Sequence, residues 1–308
     1  MFSIRSVFIF LIASMIMAAG CGSKDLTLAT GNQVSSFQRF GVAIAEILSQ
    51  SGIPVVAQTT EGSVNNVQLL RDKQVDLAFV QNDVAFYAEN GIEMFKDQPV
   101  QNLRGIATLY PLSCHIVTLA SSQITDIESL RGRKISVGGE GRADVSNARQ
   151  ILDAYGISFE DIEPHHLLQL ESIEALRNGE IDAAFFTTVA PAPFLNEFAI
   201  QNQIRLIPIE DQVIDTLTKK YPYYTKTIFP AGTYQGIDVD ISSVAVRSML
   251  VTTNRLYDDE VYEITRAIFQ NTDRLKSVHE LGKVIRKDSA LSGMSIQIHE
   301  GSSQYFNE

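Results

Sequence analysis

A ten-residue pattern occurs twice in this chain, and it limits the fold more than any other feature. Leu70-Arg71-Asp72-Lys73-Gln74-Val75-Asp76-Leu77-Ala78-Phe79 recurs from position 70 to position 176 as Leu176-Arg177-Asn178-Gly179-Glu180-Ile181-Asp182-Ala183-Ala184-Phe185, an offset of 106 residues. Each copy reads as a helix end, a tight polar turn, an aspartate and a buried strand. Each strand then runs into a polar segment, Gln81-Asn82-Asp83 in the first copy and Thr187-Thr188 in the second. Common helix–turn–strand chemistry can produce such a likeness. Two similar units spaced by a domain's length predict two lobes of like architecture. A 308-residue chain with 45% apolar and 20% charged residues is globular and long enough for two such lobes.

Short apolar runs alternate with helical periodicity from Leu26 onward. Leu26–Ala29 reads as a strand. Phe37, Phe40, Ala43, Ile44, Ile47 and Leu48 then follow helical spacing up to Gly52, and Pro54–Ala57 begins the next strand. This alternation predicts parallel sheet covered by helices, an α/β class. In such sheets ligands sit beyond the carboxyl ends of the strands, where loops meet helix starts. Two facing lobes would form a cleft there.

Four segments join a predicted strand to a predicted helix: Thr30–Ser36, Thr59–Asn66, Gln81–Asp83 and Gly138–Asp144. Each supplies hydroxyl, amide or N–H donors at a helix start, where orphan amides and the dipole favour a carboxylate or phosphate. Each also reads as simple helix capping. Arg142 is suited to clamp a carboxylate through two parallel hydrogen bonds, and also reads as a solvated surface charge. Asp83 and Asp144 are suited to receive an ammonium group. Gly139-x-Gly141 is not a dinucleotide fingerprint, because Asp144 stands where the third glycine belongs and would repel a pyrophosphate. There is no GxSxG elbow, P-loop, HExxH or CxxC, so the sequence predicts neither a catalytic set nor a metal, and no cofactor. With 36 acidic against 25 basic residues and a formal charge of −11, a nucleic-acid partner is not expected.

The N-terminus carries Arg5, an apolar stretch and Ala18-Ala19-Gly20 before Cys21, the layout of a secretory signal over residues 1–20. The apolar stretch is shorter than the ~20 residues of a membrane-spanning helix. The residues around Cys21 resemble a bacterial lipobox, with Ala18 where leucine is usual. That resemblance implies a lipidated Cys21 and anchoring to a bacterial membrane, on the periplasmic or cell-surface side, by lipid alone. A plain secretion signal is the alternative. Cys114, in an apolar stretch, reads as a buried small hydrophobe.

Over residues 26–308 the chain resembles the TAXI-type substrate-binding proteins of TRAP (tripartite ATP-independent periplasmic) transporters. The likeness is carried by Leu28–Gly31, Gly62–Leu70, Val75–Asp83, Leu103–Pro111, Ala190–Pro193, Tyr221–Tyr224 and Pro230-Ala231-Gly232-Thr233-Tyr234. It implies a bilobal, periplasmic-binding-protein-like α/β fold that closes on a small carboxylate or amino-acid-like solute. It also implies a monomeric receptor, not an enzyme, that hands the solute to TRAP permease subunits. Ser63, Asn66, Gln81 and Asp83 carry over as site residues, followed by Gly31, Thr233 and Tyr234. Gln33 and Ser36 of the first loop and Thr188 and Ala190 of the second unit complete the candidate site with Arg142 and Asp144. Departures lie in the first loop, where Asn32–Gln38 replaces a glycine-rich run ending in two tyrosines, and in Gly141-Arg142-Ala143-Asp144 and Val189-Ala190-Pro191. Losing glycines loses close backbone approach to a ligand.

The expected lobes are 26–112 plus 228–308, and 113–227, closing by hinge motion at the crossing segments. A receptor of this fold without a permease, serving signalling or adhesion, and an enzyme acting on a carboxylate are the rival readings.

Overall fold

The computed structural model describes residues 25–308. The expected signal sequence and Cys21 lie outside the described residues. The chain begins with β1 (Leu26–Ala29), α1 (Ser36–Gln50), β2 (Val55–Gln58), α2 (Ser63–Arg71), β3 (Leu77–Gln81) and α3 (Asn82–Asn90). A 17-residue strand, β4 (Leu103–Leu119), leads into β5 (Lys134–Ser136), α4 (Ala143–Ala154), β6 (Glu163–His165), α5 (Gln169–Asn178) and β7 (Ala183–Thr188). Next come α6 (Pro193–Gln201), β8 (Ile204–Leu206), α7 (Asp211–Lys220), β9 (Thr225–Phe229) and the long β10 (Ile241–Thr253). Helices α8 (Asp258–Gln270), α9 (Thr272–Val278) and α10 (Glu300–Asn307) close the chain.

The strand order β2-β1-β3-β10-β4-β7-β5-β6 reads as a mirror of itself about the β10–β4 pair. On one side β1 lies parallel between β2 and β3; on the other β5 lies parallel between β6 and β7. β10 and β4 run antiparallel to each other and to their inner neighbours, with β8 and β9 as side branches. The two long strands therefore carry hydrogen bonding from one half into the other.

The repeated sequence builds the same joint in each half. Asp76 N–H donates to the Thr27 carbonyl (3.0 Å), and its carboxylate accepts the Thr27 N–H (3.0 Å). Asp182 does the same with Lys134, at 2.7 and 2.8 Å. A threonine hydroxyl from each long strand caps the joint: Thr252 donates to the Asp76 carbonyl and Thr118 to the Asp182 carbonyl, both at 2.7 Å. A carboxylate accepting a backbone N–H forms a strong, charge-assisted bond, so each aspartate fixes the register of β1 or β5 beside its neighbour. The turn before each joint needs a left-handed residue, supplied by Gly179 (φ 70°) in one half and by Lys73 (φ 60°) in the other.

The main core runs through both halves. A smaller core gathers Val117, Ile173, Leu176, Phe186 and Phe198 with Phe229, Tyr234, Ile237 and Ile241. The segment linking β9 to β10 thus packs on the second half, although the expected lobes assigned it to the first. Cys114 is buried and unpaired in β4, where burial pushes its thiol up to about 12.

Candidate functional site

A cavity of about 420 Å³ opens where the carboxyl ends of β1, β3, β5 and β7 face each other. Its first wall comes from the start of α1, capped by Ser35 whose hydroxyl accepts the Gln38 N–H, and from the start of α2. Ser63 opens α2 and accepts the Gln81 N–H (3.1 Å), tying that helix start to the end of β3. Asn66, one turn later, donates from Nδ2 to the carbonyls of Thr30 and Phe79, both at 2.7 Å. Three chain segments are thereby tied together behind the wall.

The second wall comes from the turn after β5, the first turn of α4, the end of β7 and the starts of α5 and α6. Gly138 adopts φ +100°, and a Cβ there would come within 2.5 Å of the Asp144 Cβ, so this turn excludes other residues. Ser36, Ser63 and Ala143 all line the cavity as first helical residues of α1, α2 and α4. Gln169 and Pro193, the first residues of α5 and α6, line it as well, so five helix N-termini with their positive dipole ends meet at one space.

Charge in the site is mostly compensated. Arg142, the N-cap of α4, donates from Nη1 to the Glu61 carbonyl (3.0 Å) and from Nη2 to the Glu61 carboxylate (3.1 Å) across the cleft. Asp144 accepts the Thr187 N–H (3.2 Å); burial pushes its carboxyl up to about 6, against the pull of Thr187 and Arg142. His279 is lowered by burial and then by nearby Arg39. Arg39 itself lines the cavity, is exposed, and makes no ion pair among the described residues. Gln81 is 9% exposed, and its Oε1 has no hydrogen-bond partner.

Residues 28–308 match the NMT1-like family. The chain belongs to that family. Solved structures similar to this NMT1-like chain include the periplasmic aliphatic sulphonate binding protein SsuA of Escherichia coli, with a TM-score of 0.53 and 13% identity over 92% of this chain and 79% of that one. PhnD1 of Prochlorococcus marinus, in complex with methylphosphonate, gives a TM-score of 0.55 and 13% identity over 92% and 94%. A putative L-cystine ABC transporter protein of Listeria monocytogenes gives 0.53 and 14% over 85% and 97%. At such identities the likeness is one of fold: the NMT1-like chain has the α/β, periplasmic-binding-protein-like architecture expected from its sequence.

Seven of the expected site residues, Gly31, Ser36, Ser63, Gln81, Arg142, Asp144 and Thr188, line the cavity. Gln33 is exposed on the first loop between the lining residues Asn32 and Val34, and Ala190 sits beside lining Val189 in a cis Ala190–Pro191 unit. Asn66 and Asp83 are buried behind the walls. Asp83 lies in the first turn of α3 and accepts the Val84 N–H (2.9 Å) and a hydrogen bond from Asn147 Nδ2 (2.8 Å). Asn147 also donates to the Tyr224 hydroxyl and accepts from Thr187, while Gln150 joins Tyr87 and Tyr224. This buried network links α3 of the first half to α4 of the second. Burial pushes the Asp83 carboxyl up to about 7, only partly offset by Asn147 and Val84, and neighbouring Asp144 raises it further.

Thr233 and Tyr234 lie elsewhere. Thr233 donates to the Pro230 carbonyl (2.6 Å), and the Tyr234 hydroxyl bonds His115 Nε2 and accepts the Ala192 N–H, both at 2.8 Å, inside the smaller core. The cavity also holds residues the sequence reading passed over: Arg39, His279, Leu168, Leu170, Phe186 and Phe194. Arg39 stands three residues after Ser36, on the same helix face, and Phe194 directly follows the Ala190–Pro193 segment; those spacings were the available signals.

Proposed function

We propose that this protein is an extracytoplasmic solute-binding protein that holds a small carboxylate or amino-acid-like compound in the interlobe cavity and passes it, chemically unchanged, to a membrane permease. The observation that carries this reading is the meeting of five helix N-termini and the unpaired Gln81 Oε1 at one cavity between two like halves. The NMT1-like membership and the fold shared with SsuA and PhnD1 support it. The lobes of this reading are 26–112 plus 228–308 and 113–227, with the segment between β9 and β10 packed on the second lobe, and they close as a monomer around the solute without a cofactor. Candidate contacts are Gly31, Ser36, Ser63, Gln81, Arg142, Asp144 and Thr188.

Resemblance to TAXI-type proteins favours a TRAP permease driven by an ion gradient. The Listeria neighbour, whose name places it with an ABC transporter, favours an ATP-driven partner instead. Vesicles carrying the cognate permease distinguish them: uptake that follows an imposed ion gradient without ATP supports TRAP coupling. Export is assigned to residues 1–20 and membrane anchoring to a lipid on Cys21; the mass of the mature N-terminal peptide tests both. A thermal-shift screen of amino acids, monocarboxylates and dicarboxylates tests the central claim, because a native-state ligand raises the midpoint as RT ln(1 + [L]/Kd). Recovery of the bound compound unaltered by mass spectrometry is expected, and its conversion to product would favour a carboxylate-active enzyme.

A further inference from the structure

Both cavity walls mix polar and apolar groups, but the large apolar side chains are concentrated on the second. There Leu168, Leu170, Phe186, Val189 and Phe194 form a patch beside the polar Arg142, Asp144 and Thr188, while Ser36, Arg39, Ser63 and Gln81 stand on the first wall with Val34, Phe37 and Val64. The repeat makes the contrast pointed. Helix α2 starts at Gly62-Ser63-Val64 and its counterpart α5, 106 residues later, at Leu168-Gln169-Leu170. Where the first half has a glycine that leaves the helix amides open to a polar group, the second half has a leucine.

Leu168 and Leu170 are 45% and 57% exposed, large apolar side chains facing the cleft. Phe194 packs edge-on to buried Phe186 with ring centroids 5.3 Å apart. Exposed apolar surface concentrated at a cleft marks a ligand contact. Opposite it, the unpaired Gln81 Oε1 requires a hydrogen-bond donor, and Arg39 offers an uncompensated guanidinium.

We infer that the solute is amphipathic: a monocarboxylate whose head also carries an N–H or O–H donor, joined to an aryl or branched alkyl body that packs on Leu168, Leu170 and Phe194. This rests on the solute-binding reading and narrows its ligand class away from dicarboxylates. The head would be held by Gln81 and Arg39, and closure of the halves would bury the body.

Isothermal titration of the purified chain with two matched pairs tests it: L-phenylalanine against L-glutamate, and 3-phenyllactate against malate. The aryl members are expected to bind at least about tenfold more tightly than the acidic ones. Leu168→Ser and Leu170→Ser, at exposed positions that leave folding intact, are each expected to weaken aryl binding by roughly threefold to tenfold. Equal or tighter binding of glutamate or malate overturns the inference and leaves the receptor reading standing. Unchanged aryl affinity in both leucine variants also overturns it. Absence of binding by all four compounds overturns the inference and the small-carboxylate reading together.

Discussion

Arg142 and Glu61 join the two walls of the cleft through two contacts, one to the Glu61 carboxylate and one to its backbone carbonyl. The carboxylate is 80% exposed and the guanidinium 30%, so water screens the pair and its share of folding stability is under about 1 kcal/mol. Its effect is expected on the distance between the halves instead. Arg142→Ala should leave the melting temperature nearly unchanged and enlarge the radius of gyration in small-angle X-ray scattering. About 1 M salt, where the screening length falls to about 3 Å, should move the wild-type protein the same way. Identical scattering profiles for variant and wild type would show that the pair holds nothing together.

Gln81 carries a stability cost that ligand binding would remove. An orphaned buried acceptor costs roughly 1–3 kcal/mol, so Gln81→Leu should raise the urea midpoint of the free protein. The same change should lower solute affinity by about tenfold or more, since the donor on the ligand then loses its partner. A variant that is both less stable and unimpaired in binding would contradict this account.

Tyr234 provides the opposite case. Its hydroxyl bonds His115 and the Ala192 N–H within the smaller core, away from the cavity. Tyr234→Phe should cost about 1–3 kcal/mol in chemical denaturation and leave solute affinity within a factor of about two, a difference of only ~0.4 kcal/mol. A large loss of affinity at full stability would return Tyr234 to the site.

Asp83 should make stability depend on pH. Its folded-state carboxyl is pushed up to about 7 from 3.8, so between those values the native state holds a proton the unfolded chain has lost. Stability then falls as pH rises through this window, by up to about 1.4 kcal/mol per pH unit, and is fullest below the lower value. Asp144, pushed up to about 6, adds the same sign over a narrower span. Asp83→Asn should flatten the slope between about pH 4 and 7 in urea titrations across that range; an unaltered slope would assign the dependence to other groups.

Lys73 stands in a left-handed turn that its counterpart Gly179 occupies without a side chain. Lys73→Gly should therefore raise stability by about 0.5–1 kcal/mol, while Gly179→Ala should lower it by about 1–2 kcal/mol. Opposite signs in paired denaturation curves are the diagnostic result.

The helix end, turn and strand of the repeat were readable in the sequence because they are local, whereas the partners of its aspartates, Thr27 and Thr252 for Asp76 and Lys134 and Thr118 for Asp182, lie far along the chain. β1, α1 and β2 were readable for the same reason, from periodicity and Gly52. The mirror order of the sheet was not, since it depends on pairing β10 with β4 across more than a hundred residues of chain. At the site, the loops were legible but not the facing of each side chain. Ser63 and Asn66 sit one turn apart on α2, yet the first lines the cavity and the second turns back to bind Thr30 and Phe79. Asp83 looked like an open polar residue and is sealed by Asn147, 64 positions away. Tyr234 looked like a site residue in a distinctive motif, and its partners in β4 and before α6 explain the motif structurally.

The strand pair β4 with β10 carries the sheet from one half into the other, and β10 slips register twice along it, between Arg247 and Met249 and between Leu250 and Val251. Bulges bend and twist a strand locally, so the sheet is bent between the halves. On the proposed receptor reading, any movement of one half against the other passes through this strand pair, and the two irregular steps of β10 are where its bend is set.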